Sequence, residues 1–255
     1  ISQNNFKENI KFTTKKRGLC VFDPMTGKEK SVCQIKASDG EIQVNLDMEA
    51  YQSLLFVFSD EMDLPEADDT TEKEIISVDL SCGWRLTIPE REFVKEYDVL
   101  DSWEKEPQLK YYSGSGKYSR SVQITEEMWM KLQRSDKVLL NLEHLRETAE
   151  IYVNGTLACT VIKRPHQADI TGLLCQGENR IELIVTNLLI NRMIDPEYPE
   201  LLEEKIIPEW PYATGGLNRC REERVFNWRE REMIKAPFPS GIWGEIKIVG
   251  KKRGI

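Results

Sequence analysis

The chain has 255 residues and a formal net charge of -8, with 31% charged and 40% hydrophobic residues. That balance excludes the extended basic surface that phosphate backbones require, so nucleic acid is not an expected partner. No apolar run approaches the roughly 18 residues of a membrane helix, and no membrane insertion is expected.

From the start, ISQNNFKENIKFTTKKRG is polar and lacks the apolar segment of a signal peptide. The first residue is Ile1 rather than Met, which reads as a piece of something longer. GLCVFDPMTGKEKSVCQI is expected to form a hairpin whose turn falls on residues 23–27. Pro24 presets φ there, and Gly27 accepts the left-handed conformation. Ile42, Val44 and Leu46 alternate with Glu41, Gln43 and Asn45, the period of a half-buried strand. SLLFVFS is almost continuously apolar and is expected to be buried on both faces. Residues 1–62 thus read as a strand-rich N-terminal β piece, marginal on its own. Residues 63–74 are acidic and read as a solvated linker between domains. The ligand order of an EF-hand loop is absent.

Residues 75–255 read as one larger β domain. IISVDL and GWRLTI are strands. Tyr112, Gly114, Gly116 and Tyr118 fall on alternate positions of one expected long strand, where glycine signals a bend or a close backbone approach. The GSGK within it lacks the first glycine and the Ser/Thr of a P-loop, so nucleotide binding is not expected. TEEMWMKLQ reads as a short helix with Thr125 as N-cap and Glu126 and Glu127 at its positive end. The organising stretch is 137–195. Ala149, Ile151 and Val153, then Ile181, Leu183 and Val185, repeat at period two. Asn154-Gly155 supplies the two-residue hairpin turn. Asn154-Gly155-Thr156 is also a glycosylation sequon, but the turn reading is preferred. Residues 196–239 follow as a long loop without period, rich in Pro, Trp, Tyr and Arg. Stretches of this kind are uncommon and often functional. GIWGEIKIVG is the last strand. The expected fold is all-β, an antiparallel sandwich.

Candidate chemistry is sparse. Six cysteines are present, none in C-x-x-C spacing. Most are expected to be buried free thiols, with Cys159 and Cys175 as ordinary strand or turn residues. Glycoside hydrolysis needs two carboxylates roughly 5 to 9.5 Å apart. Glu143, Glu147, Asp169, Asp195 and Glu197 are available, yet nothing in the sequence pairs them. Asp169 reads as a turn cap, and Glu143 and Glu147 as surface or structural residues. His144 and His166 sit in no nucleophile motif and have no metal-ligand partner at useful spacing, so both read as packing or surface residues. Carbohydrate binding has a better basis, because sugar C–H faces stack on aromatic rings while hydroxyls need polar partners. Trp210, Tyr212 and Trp228, with Arg219, Arg221 and Arg229 nearby, offer that combination. The competing reading is that they anchor the loop. Asn187, Asn191, Arg192 and Asp195 read first as a structural network, with Arg192 and Asp195 kept as candidate sugar contacts.

Several phrases resemble a known family. WEKEPQLKYYSGSGKYSRSV, LNLEHLRETAEIYVNGTL, KRPHQADIT, ENRIELIVTNLLINRMID and PSGIWGEIKI are together similar to the galactose-binding-like, family-two-type sugar-binding domain of large bacterial glycoside hydrolases. The likeness is nearest to the C-terminal region of multidomain α-L-rhamnosidases, where FDPMTGK and the LLFVF strand resemble the end of an upstream β-domain. It covers about residues 20–250. It implies a jelly-roll sandwich ancillary to a catalytic domain elsewhere, and no catalytic residue is carried over. Its implied partners are carbohydrate, an upstream catalytic domain, or both, and its implied location is periplasmic or extracellular. No cofactor is expected. A structural calcium is compatible with the fold class, although no ligand spacing argues for one. Ile242-Trp243 departs from the pair of leucines usual in the relatives. Two other readings stay open: an intact glycosidase, and a protein-interaction sandwich without sugar affinity.

Overall fold

The computed structural model describes residues 6–24, 27, 29, 33–38, 40–48, 53–61, 63, 72–195 and 236–253. The N-terminal part contains β1 (Phe6–Thr13), β2 (Gly18–Phe22), β3 (Cys33–Ser38), β4 (Glu41–Met48) and β5 (Leu55–Ser59). They form a three-stranded sheet in the order β1-β4-β3 and a separate β2-β5 pair. The period-two reading of β4 holds, with Ile42, Val44 and Leu46 all buried. Leu19 and Val21 join them, and Phe12, Phe56 and Phe58 pack against this cluster.

Two expectations need correction here. The turn after β2 does form: the Gly27 N–H donates to the Asp23 carbonyl at 2.8 Å, with Gly27 at φ +65°. Across it the chain closes a single antiparallel bridge, Phe22 with Glu29, but the hairpin does not extend to β3, because β2 pairs with β5 and β3 with β4. β2 is apolar at successive positions, so its match is the other continuous apolar run. Nor is β5 buried on both faces. Its side chains are half-buried at most positions, and Leu55 is 52% exposed.

The larger part contains β6 (Glu72–Asp79), β7 (Trp84–Ile88), β8 (Phe93–Tyr97), β9 (Ser115–Ile124), β10 (Lys137–Arg146), β11 (Thr148–Val153), β12 (Thr156–Val161), β13 (Gln167–Asp169), β14 (Gly177–Thr186) and β15 (Gly241–Arg253). A six-stranded sheet runs β12-β11-β14-β9-β7-β8, and a four-stranded sheet runs β13-β10-β15-β6. The strand pairings are antiparallel, and the fold is an all-β sandwich. The two alternating runs supply its centre: Ala149, Ile151, Val153, Ile181, Leu183 and Val185 are fully buried. Burying one such side chain contributes about 1.5 to 3 kcal/mol. Asn154 (φ +52°) and Gly155 (φ +79°) make the expected tight turn between β11 and β12. Buried aromatic side chains keep their polar atoms satisfied. Trp84 Nε1 donates to the Leu80 carbonyl at 2.6 Å, and Trp103 Nε1 to the Tyr118 hydroxyl at 2.5 Å.

The short helix α1 (Glu126–Gln133) is capped as expected, with Thr125 Oγ1 accepting the Met128 N–H at 3.3 Å. The long strand around the glycines is shorter than its pattern implied. β9 begins at Ser115, so Tyr112 and Gly114 precede it. Gly116 does mark a close approach: a Cβ there would come 2.7 Å from the Trp103 ring. The cysteine expectation also changes. Of the four free thiols among the described residues, Cys20 is buried, Cys159 half-buried, and Cys82 and Cys175 exposed. The last two lie in the connections that lead into β7 and β14.

Candidate functional site

The rim where β14 ends and β15 begins holds the densest side-chain hydrogen bonding in the sandwich. Asn187 follows directly on β14. Its Oδ1 accepts the Gly114 N–H at 2.9 Å, and its Nδ2 donates to the Tyr112 carbonyl at 2.8 Å and to Ser240 Oγ at 3.0 Å. A four-residue helix, α2 (Ile190–Met193), then places Asn191. Asn191 is buried. Its Nδ2 donates to the Phe238 carbonyl at 2.8 Å and to Ser240 Oγ at 2.9 Å, while its Oδ1 accepts the Phe238 N–H at 2.8 Å. The amide thus satisfies both backbone groups of Phe238, as a neighbouring strand would.

Ser240 links this clasp to the opposite side of the rim. Its N–H donates to Ser102 Oγ at 2.8 Å, and its carbonyl accepts the Trp103 N–H at 3.0 Å. The Ser102 hydroxyl in turn donates to the Glu104 carboxylate. Tyr118 OH, reached by Trp103, also accepts the Ile242 N–H at 3.3 Å. Burial pushes the Tyr118 phenol well above its ordinary range, so it stays neutral. The Tyr112 phenol, desolvated and beside Glu90, is pushed up to about 12. These amides and hydroxyls are consumed on one another. The arrangement fixes backbone, and even the Ser102 hydroxyl beside Glu104 is buried and already accepts the Ser240 N–H.

Asn187 and Asn191, expected as a structural network, are brought together through Ser240. Arg192 is exposed and Asp195 half-buried, and each is engaged in an interaction of its own. The Asp195 N–H donates to the Arg192 carbonyl at 3.3 Å. Trp210, Tyr212 and Trp228, with Arg219, Arg221, Arg229, Glu197 and Cys220, lie outside the described residues. Leu188, Leu189 and Phe238 flank the clasp with roughly half of their surface exposed. Sequence reasoning missed Ser102, Glu104 and Ser240. Ser102 and Glu104 lie in an ordinary charged stretch and Ser240 follows a proline, and the bonds that join the two segments span more than 130 positions.

The other candidates are placed elsewhere. Asp169 caps a turn, accepting the Thr171 N–H at 3.0 Å and its hydroxyl at 2.6 Å. Glu143 accepts the Glu245 N–H at 2.7 Å. His166 is buried and its ring donates to the Glu143 carbonyl. Burial, helped by Arg164, Arg146 and His144, lowers its pKa to about 4. Among the described residues no group of three or more His, Cys, Asp or Glu is arranged to hold a metal ion, and no helix is long and apolar enough to cross a membrane.

No protein-family model matches the chain. Over 161 residues it is 30% identical to a putative beta-glucuronidase from Formosa agariphila, a match covering 60% of this chain and 13% of that protein. The structure of a rhamnosidase from Novosphingobium sp. PP1Y superposes with a TM-score of 0.66 and 22% identity, over 98% of this chain and 22% of the other. The fold is shared with a region of that rhamnosidase. A beta-D-glucuronidase from Dictyoglomus thermophilum aligns with 48% of this chain and 21% of its own, at 23% identity and a TM-score of 0.36. The chain spans only a minor fraction of each of these proteins, all of which bear glycosidase names.

Proposed function

We propose that the chain is a non-catalytic, ancillary portion of a larger glycoside hydrolase of rhamnosidase-like build, which binds carbohydrate or braces the catalytic domain. The observation that carries this reading is coverage: almost the whole chain corresponds to about a fifth of a rhamnosidase. The rim supports it, because its polar groups are spent on holding the backbone. On this reading residues 1–62 are the end of an upstream β-domain, 63–74 a linker, and 75–255 a galactose-binding-like jelly roll. Trp210, Tyr212, Trp228, Arg192 and Asp195 supply the glycan contacts, and the parent protein works in the periplasm or outside the cell.

The isolated chain is expected to leave aryl rhamnosides, galactosides and glucuronides intact, and to bind a glycan array saturably. A Trp210→Ala/Trp228→Ala double variant should lose that binding. Turnover by the isolated chain, abolished by a single carboxylate substitution, would overturn the reading. A second reading, a protein-interaction sandwich, is favoured by the half-exposed Leu188, Leu189 and Phe238 beside the clasp. Absent glycan binding together with tight association with an upstream fragment would select it.

A further inference from the structure

A second cluster lies on the outer face of the four-stranded sheet. Ile242 points into the core, so Trp243, next along β15, points away from it. Across the ladder Trp243 faces His144, and the rings stack with centroids 5.2 Å apart and planes 23° from parallel. Both side chains are partly exposed. Two residues further along β10, Arg146 lies on the same face and is half-buried. Its guanidinium makes no ion pair with a carboxylate among the described residues. Its cross-strand neighbour is Gly241, which contributes no side chain.

The backbone beneath is held in an irregular shape. The β10–β15 register shifts between Leu142 and His144, and Gly244 takes φ +81°. A Cβ on Gly244 would come 2.5 Å from Glu143 Oε2, the same oxygen that accepts the Glu245 N–H. The other Glu143 oxygen lies 3.3 Å from His144 Nε2. The carboxylate nearest the rings is therefore turned onto groups of the sheet itself. Behind them the His166 carbonyl accepts the Leu142 N–H at 2.8 Å, and Arg164 precedes it on the approach to β13.

Arg146 thus has no anion partner among the described residues, and its donors are open to one. Its planar fork matches a carboxylate bidentately. An indole ring beside it suits the C–H face of a pyranose. We propose that Trp243, His144 and Arg146 form a binding ledge for a carboxylate-bearing pyranose, the sugar ring stacking on Trp243 and its carboxylate pairing with Arg146. The ledge rests on the carbohydrate-binding form of the function above, and adds to it a second set of contacts, on β10 and β15, for acidic sugars.

Calorimetric titration of the full chain with tri-galacturonate, and with its methyl ester, tests the assignment. The acid is expected to bind saturably, and the uncharged ester at least tenfold more weakly. Trp243→Ala should abolish binding of both. Arg146→Gln should bring the acid down to the affinity of the ester without changing the ester. Equal affinity for acid and ester, full affinity in Trp243→Ala, or no binding by the unmodified chain would each overturn the ledge. So would tighter binding of a sulfated oligosaccharide that carries no carboxylate. If Trp243→Ala misfolds, the acid–ester comparison and Arg146→Gln decide the matter. Turnover of aryl glycosides by the isolated chain would refute the ancillary reading and leave the ledge standing.

Discussion

The sandwich and the N-terminal strands use the same alternating pattern, yet they finish their interiors differently. The sandwich buries Trp84, Trp103 and Tyr118 completely and satisfies their polar atoms inside. Among the described residues the N-terminal strands bury five aliphatic side chains, and Phe12, Phe56 and Phe58 stay at the margin. Phe12 sits with its ring centroid 5.0 Å from that of Phe56 and 5.2 Å from that of Phe58. Interlocked polar handles specify one packing, whereas an aliphatic patch tolerates several. The sandwich should therefore unfold as a unit with its own sharp transition, and the N-terminal strands should follow a weaker one. All six tryptophans lie at position 84 or later, so none is carried by the N-terminal strands.

Gly241→Ala should break this comparison most severely. Gly241 has φ +89°, and a Cβ there would come 2.5 Å from Trp103 Nε1 and 2.6 Å from Tyr118 OH. A loss of about 4 kcal/mol is expected in urea unfolding followed by tryptophan fluorescence. A loss under about 1 kcal/mol would mean that the aromatic pair moves aside freely. Next comes Leu140→Ala, which removes a fully buried side chain from β10 and should cost about 3 kcal/mol in the same transition. Its counterpart Val44→Ala should leave that transition in place and instead hasten amide exchange in β4. A common shift of both signals would show that the two regions unfold together.

At the rim, Asn191→Ala leaves the Phe238 N–H without its partner and its carbonyl with only the longer bond from Ser240 Oγ, at 3.2 Å. About 2 kcal/mol of stability should go with it, read by the same fluorescence titration. The smallest effect concerns pH. His166 is neutral in the fold, because burial and the neighbouring Arg164, Arg146 and His144 lower its pKa to about 4. The unfolded chain takes up a proton near pH 6.5, so its contribution is present above that pH and is lost as pH falls towards 4. Between pH 7 and pH 5 the unmodified chain should lose about 1.5 kcal/mol more than His166→Gln. Parallel stability curves for the two proteins would remove His166 from the account.

Strand existence was legible in the sequence, because alternation reports directly on which side chains are buried. Ala149, Ile151, Val153, Ile181, Leu183 and Val185 all lie where their period put them. The Asn154-Gly155 turn was equally plain, since its backbone conformation selects those residue types. Partner choice was not. β2 and β3 flank a turn that forms, yet they join different sheets, because pairing depends on which apolar surfaces meet and not on proximity along the chain. The rim was half legible. Asn187 and Asn191 stood out as a phrase, while Ser102 and Ser240 each look like ordinary loop serines until the fold sets them 2.8 Å apart. The ledge was hidden for a similar reason. Trp243 stands out in the sequence only as a departure from the leucine of the resembled family, until the register sets it against His144.

β15 lies between β10 and β6 in the four-stranded sheet. Its thirteen residues follow all the other described strands. During synthesis, β6 and β10 must therefore wait with open edges for the strand that joins them. The six-stranded sheet has no such delay, since every one of its strands has left the ribosome before β15 begins. Closure of the sandwich is thus a late, long-range event, and the interval before it is when the nascent chain most needs a chaperone.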